Sequence, residues 1–215
     1  MVSVHWEGPK IDHHKRDTLL ILVRHGESTV NTQNLISSSV EGHPLTEVGR
    51  GQSISLAQEL KRLRVERVIS SELVRAKQTA EILATSLGRK VIVDSRLNER
   101  VWGELEGTAA LEYEQGLDGE FGVEPYSQMS QRLRDFIAED HRGVVVAVSH
   151  KYIMRTPVLE MLGLDEHTGA LVGGPYGSMI ILHISEDGIR VIAVGVEKLT
   201  EDVLRDIPKR FVKSL

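Results

Sequence analysis

The sequence predicts a three-layer α/β domain around a largely parallel central sheet, and three observations predict it. Six short runs rich in β-branched residues (Thr18–Val23, Arg67–Ser70, Lys90–Asp94, Gly143–Ser149, Ser178–Ile184 and Arg190–Val194) alternate with stretches of helical spacing. Strands alternating with helices point to crossover connections and parallel pairing. Thr18–Val23 and Val144–Val148 are continuously apolar rather than alternating, which suits strands covered on both faces. Aromatic residues make up only 4% of the chain, so the core between the layers must be mainly Val, Ile, Leu and Ala.

Taken in order, residues 1–17 are polar, contain Gly8-Pro9 and show no period, so they read as an extension ahead of a single domain over 18–215. They lack the apolar middle of a signal peptide. Adjacent His13 and His14 do not converge as an i,i+4 pair does, so they are not taken as metal ligands. Thr46 caps a helix over Glu47–Leu63, where Ile54, Leu56, Ala57, Leu60 and Leu63 recur at helical spacing. A second helix over Glu72–Leu87 carries Ala76, Ala80, Leu83 and Leu87 and stops at Gly88. Two more are expected over Tyr126–Glu139 and Tyr152–Leu162, the latter interrupted by Pro157. The stretch Gly103–Pro125, rich in glycine and acids, breaks the rhythm and reads as a lid-like insertion spanning about 103–127.

Composition excludes several functions. With Lys+Arg 26 against Asp+Glu 31 the net charge is −5, which argues against general nucleic-acid binding. No apolar run approaches the roughly 18–20 residues that span a bilayer. The cysteine count of 0 removes disulfides, thiolate catalysis, Fe–S clusters and cysteine-based zinc sites. A cytoplasmic globular domain is expected, with no membrane or nucleic-acid partner.

The chemistry concentrates at strand ends. Leu22-Val23-Arg24-His25-Gly26-Glu27-Ser28, with Asn31 three residues on, carries an apolar strand straight into Arg-His-Gly. In open α/β sheets ligands bind outside the carboxyl ends of strands, where this tripeptide falls. Arg24 offers a planar fork suited to phosphate, His25 a neutral imidazole that can act as nucleophile, and Gly26 close backbone approach to a ligand. Ser70-Ser71-Glu72-Leu73-Val74-Arg75 likewise follows a strand and opens a helix, whose N-terminus favours anions and whose first turn adds a second guanidinium. Val144–Ser149 then delivers His150 to the same sheet edge.

Together these segments resemble the histidine phosphatase superfamily, the phosphoglycerate-mutase-like proteins, from about Leu19 to Val194. The resemblance rests on Arg24-His25-Gly26-Glu27-Ser28; on Pro44-Leu45-Thr46 with Gly49 and Gln52; and on Ser70-Ser71 with Arg75-Ala76 and Gln78-Thr79-Ala80. Leu97-Asn98-Glu99-Arg100 with Gly103 and Glu106-Gly107, and Val148-Ser149-His150, complete it. It implies that His25 attacks phosphorus and becomes a phosphohistidine. Arg24, Arg75 and His150 would hold the phosphoryl oxygens with Asn31 lining the same pocket, and Glu99 would be the general acid and base. Positioning and preorganised positive charge can carry such a reaction, and no carboxylate cluster calls for a metal or other cofactor.

Where the family usually has glycine after the second histidine, this chain has Lys151-Tyr152, and Lys151 is expected to contact an acidic group of the substrate. Glu27 is left between orienting Arg24 and a plain surface role. The run around Glu99 is close to the form seen in cofactor-dependent phosphoglycerate mutases, but those carry a longer insertion before the last catalytic strand. A shorter lid favours hydrolysis, so the expectation is a metal-independent phosphomonoesterase of the histidine acid phosphatase type. A phosphoglycerate mutase and a non-catalytic phosphate-binding module are the alternatives. The expected partner is a small phosphorylated metabolite, selected by Ser37–His43, Gly103–Ser127 and Lys151–Tyr152. Arg190–Val194, as an edge strand, could pair across the axis of a homodimer.

Overall fold

The computed structural model describes residues 17–110, 117–139, 141–165, 172 and 174–213. Six strands, β1 (Thr18–Arg24), β2 (Val65–Ser70), β3 (Val91–Val93), β4 (Gly143–Ser149), β5 (Met179–Ser185) and β6 (Gly188–Val196), form one sheet in the order β3-β2-β4-β1-β5-β6. The pairs β3–β2, β2–β4 and β4–β1 are parallel, whereas β5 runs antiparallel to β1 and to β6. The sheet is therefore mixed, with one reversed strand. A two-residue turn at Glu186-Asp187 joins β5 to β6, and a hairpin that tight permits only antiparallel pairing.

The helices are α1 (Thr29–Thr32), α2 (Glu47–Leu60), α3 (Val74–Leu87), α4 (Tyr126–Ala138), α5 (Lys151–Leu162) and α6 (Glu201–Asp206). Leu19, Ile21 and Val23 of β1 pack on Leu56 and Leu60 of α2 and on Ala80 and Leu83 of α3. Leu20 and Leu22 face the opposite layer, with Leu133 and Phe136 of α4 and Ile153 of α5. Both faces of β1 are thus covered, which is why its sequence is apolar at successive positions.

Several boundaries differ from expectation for local reasons. The α2 helix ends at Leu60, yet Leu63 is fully buried in the same core, so the apolar spacing outlasts the helix. The α3 helix starts at Val74 because Leu73 is extended, with ψ of 136°, and the loop amides before it are satisfied locally: Glu72 N–H donates to Asn98 Oδ1 and Leu73 N–H to Ser71 Oγ. Pro157 does not interrupt α5. It has no N–H to offer the Ile153 carbonyl, and the Thr156 hydroxyl donates to that oxygen instead, at 2.9 Å. The α1 and α6 helices, of 4 and 6 residues, are too short to announce themselves by period.

The expected lid contains 3-10 turns at Gly103–Leu105 and Glu120–Gly122, with residues 111–116 outside the description. Its root is pinned by Arg100, which is fully buried, pairs with Asp118 and donates to the Glu124 carbonyl at 2.8 Å. The polar extension lies outside the described residues except for Asp17, whose carboxylate meets Arg210 and, at 3.0 Å, His183 Nε2. Among the described residues no helix is long and apolar enough to cross a membrane.

Candidate active site

Strand register brings the catalytic candidates together. In the parallel pairs Arg24 lies opposite Ser149 and Ser70 opposite Val148. Beyond those ends His25 N–H donates to the Ser149 carbonyl at 3.1 Å and Ser71 N–H to the Val148 carbonyl at 3.0 Å. His25, His150 and Ser71 therefore leave the carboxyl edge of the sheet side by side, with Arg75 in the first turn of α3 beside them.

His25 is 4% exposed, and its Nδ1 lies 2.7 Å from the Gly26 carbonyl. A carbonyl only accepts, so Nδ1 carries the proton and Nε2 presents its lone pair. Arg75 Nε–H points at that lone pair at 3.3 Å. Burial, followed by the charges of Arg75 and Arg24, holds His25 well below the ordinary imidazole range, so it is neutral at pH 7.

Two guanidinium groups and a second imidazole surround this ring. Arg75 is buried, anchored by NH2 to the Ser37 carbonyl at 2.7 Å, and burial lowers its pKa to about 10, which leaves it charged. Arg24 stacks 4.0 Å over the Tyr176 ring and donates to the Gly174 carbonyl at 2.8 Å. The His150 ring is 5.1 Å from that of His25, and burial followed by the Arg75 charge holds it neutral too. Arg24 Nε, Arg75 NH1 and His150 Nδ1 are all buried and have no hydrogen-bond partner among the described residues. Unmet guanidinium donors of this kind are costly unless an anion meets them, and a phosphoryl group has the oxygens to do so.

Glu99 arrives on the loop after β3 and is fixed from three sides. Asn98 Nδ2–H donates to Glu72 at 2.8 Å, and the Ser149 hydroxyl donates to the Leu97 carbonyl at 2.7 Å. Arg132 of α4 donates to the carbonyls of Arg96, Asn98 and Glu99 at 2.9, 2.8 and 3.1 Å while paired with Glu124. The Glu99 carboxyl accepts from Arg100 N–H at 2.9 Å and from Tyr152 N–H, at the start of α5, at 3.5 Å. Burial raises its pKa, outweighing Arg100 N–H and the charges of Arg75, Arg132 and Arg155. A raised carboxyl pKa is the direction that general-acid work requires.

Other expected residues sit differently. Asn31 Oδ1 accepts from Ser28 N–H at 3.0 Å and the Ser28 hydroxyl at 2.7 Å, so that oxygen braces the turn after β1 rather than facing a ligand. Lys151 is the first residue of α5, its Nζ 5.6 Å from the Tyr152 ring. Glu27 ties the loop to the start of α2, accepting from the Thr46 hydroxyl at 2.7 Å. Gly26 is required by packing, because a Cβ there would stand 2.4 Å from the Gly49 carbonyl oxygen of α2. Three contributors had no decisive sequence signal: Tyr176 lies in a Gly-Pro-Tyr-Gly turn, Arg132 among many surface charges, and Ser71 within a serine pair. Among the described residues no cluster of three or more His, Asp or Glu side chains is placed to hold a metal ion.

The family model of the histidine phosphatase superfamily (branch 1) matches residues 20–197. The chain belongs to this superfamily. Within it, the chain is similar to the 2,3-bisphosphoglycerate-dependent phosphoglycerate mutase of Thermoplasma acidophilum, at 29% identity over 194 residues covering 86% of this chain and 96% of that protein. Among solved structures it shares the histidine phosphatase fold with the α-ribazole phosphatase of Shigella flexneri, with TM-score 0.71, 23% identity and coverage of 84% of this chain and 97% of that one. The phosphoglycerate mutase of Bacillus anthracis superposes with TM-score 0.70 and 20% identity over 90% of this chain and 98% of its own. The proteins similar to this chain in sequence or fold thus include both a phosphatase and mutases.

Proposed function

We propose that the protein is a phosphomonoester hydrolase acting on a small phosphorylated metabolite in the cytoplasm, through a phosphohistidine on His25. The observation that carries this reading is the locked His25 tautomer: Nδ1–H is held by the Gly26 carbonyl, so Nε2 is the nucleophilic nitrogen. Substrate first displaces the Arg75 Nε–H contact from Nε2, and Arg75 re-pairs with a phosphoryl oxygen. The Nε2 lone pair then forms the N–P bond as the bond from phosphorus to the leaving oxygen breaks, and Glu99 gives that oxygen its proton. In the second half Glu99 takes a proton from water, whose oxygen attacks phosphorus. The N–P bond breaks, inorganic phosphate leaves, and His25 is again neutral. Arg24, Arg75 and His150 hold the equatorial oxygens throughout, so no divalent ion is invoked.

Hydrolysis rather than transfer is favoured by the short segment between Glu99 and α4, residues 100–125, which offers little chain to exclude water from a phosphohistidine. The similarity along nearly the whole archaeal mutase favours a second reading, phosphoglycerate mutase. A panel of phosphomonoesters, including an aryl phosphate and 3-phosphoglycerate with 2,3-bisphosphoglycerate, separates them. The expected product is free phosphate, released also in excess chelator and absent with His25→Ala. Formation of 2-phosphoglycerate without net phosphate would establish the mutase, and no turnover of any ester would leave a binding module.

Lys151, at the amino end of α5 and directly after His150, is the residue we assign to substrate selection. Lys151→Ala is expected to raise KM about tenfold for a phosphate ester carrying a second anionic group, and much less for a neutral aryl phosphate. Equal changes in the two KM values would remove Lys151 from recognition.

A further inference from the structure

The Ser71 hydroxyl links the backbone of one site element to the ring of another. Ser71 and His150 are both fully buried. Leu73 N–H donates to Ser71 Oγ at 3.1 Å, and that oxygen stands 2.8 Å from His150 Nε2. A buried hydroxyl hydrogen needs an acceptor, and the imidazole nitrogen provides one. The direction of this bond decides the ring. If Ser71 donates, Nε2 is the bare nitrogen and the proton of a neutral imidazole must sit on Nδ1. His150 Nδ1, in turn, is buried without a partner among the described residues.

We propose that Ser71 is a positioning residue that fixes His150 as the Nδ1–H tautomer, aiming a neutral N–H donor at a phosphoryl oxygen. Without that bond the proton could move to Nε2, and the Nδ1 lone pair would then face the anion and repel it. The same logic orders the two rings: the Gly26 carbonyl makes His25 the lone-pair nitrogen of the site, and Ser71 makes His150 the donor. Ser71 touches neither substrate nor reacting atoms and acts only through His150. The inference rests on the phosphoryl-binding reading given above.

Its test is the nitrogen NMR spectrum of the intact protein, with His150 assigned by its loss in His150→Asn, together with titration by orthovanadate as a phosphate mimic. The expected wild-type signature is a protonated Nδ1 and a bare Nε2 for His150. Ser71→Ala is expected to lose the fixed tautomer and bind orthovanadate about tenfold more weakly, with unchanged circular dichroism. A wild-type His150 protonated on Nε2 overturns the proposal, whether or not the variant folds. So does a folded Ser71→Ala that keeps either the wild-type tautomer or the wild-type vanadate affinity. If alanine does not fold, Ser71→Cys, which keeps the shape but donates weakly, takes its place. Neither readout needs turnover. A failure of Ser71 therefore leaves the His25 mechanism standing, and an absence of turnover leaves Ser71 testable.

Discussion

Replacing His25 by alanine is expected to lower kcat/KM by at least about 10³-fold toward every phosphomonoester the protein accepts. The loss is that large because, among the described residues, no other neutral nitrogen at the site has a free lone pair facing the donors. With His150 in the tautomer proposed above, its Nε2 is occupied by Ser71, 2.8 Å away, and its Nδ1 carries the proton. The variant should still fold, and a pH series separates folding from catalysis. His25 is held neutral in the folded protein, whereas an unfolded imidazole takes up a proton below about pH 6.5. Its contribution to stability is therefore full above that pH and lost as pH falls. The melting temperature of His25→Ala should approach or exceed that of the wild type on the acid side while activity stays absent at every pH. An inactive protein whose melting profile tracked the wild type across that range would remove the link between burial and neutrality.

The second large effect is expected at Glu99. Glu99→Gln keeps the shape and the contact to Arg100 N–H but has no proton to give, so kcat should fall by about 10²–10⁴-fold. The fall should be steepest for alkyl phosphates, whose leaving oxygen needs a proton, and mildest for esters of acidic phenols. Because burial raises the Glu99 pKa, wild-type activity should decline as pH rises through that value, and a bound phosphate dianion moves it higher still. The variant should lack this limb of the pH profile. Stability follows the same sign. Below the unfolded value of about 4.5 both states hold the proton, and as pH rises the unfolded state ionises first. Glu99 therefore costs the folded protein stability as pH rises toward its raised pKa, and Glu99→Gln should melt higher than the wild type near neutrality. A pH profile unchanged by the substitution, with equal losses for alkyl and aryl esters, would remove the proton-transfer role.

How legible this was in the sequence depended on whether the determinant was local. The β1 and β4 strands were readable because both faces of each are buried, which leaves an unbroken apolar run, and Arg24-His25 and Ser149-His150 follow directly from their ends. Thr46 and Gly88 were readable as helix boundaries because capping is a property of one residue and its neighbours: Thr46 accepts from Gly49 N–H, and Gly88 takes a φ of 66°. Contacts between distant residues were not readable. Nothing near Ser71 signals a bond to His150, nothing near Tyr176 signals stacking on Arg24, and Arg132 looks like any helix-surface charge until it is seen gripping three carbonyls beneath Glu99. The reversed β5 was equally hidden, since an apolar strand carries no mark of its direction.

The proposed reaction depends on one covalent bond, between phosphorus and His25 Nε2. Its most direct test is rapid mixing of the wild-type protein with a phosphomonoester labelled on phosphorus, quenched in alkali, where phosphohistidine survives, and mapped by peptide. The predicted result is label on the peptide containing His25, appearing before free phosphate, lost on acid treatment and absent in His25→Ala. Turnover that releases labelled phosphate with no label on His25 at any quench time would contradict it.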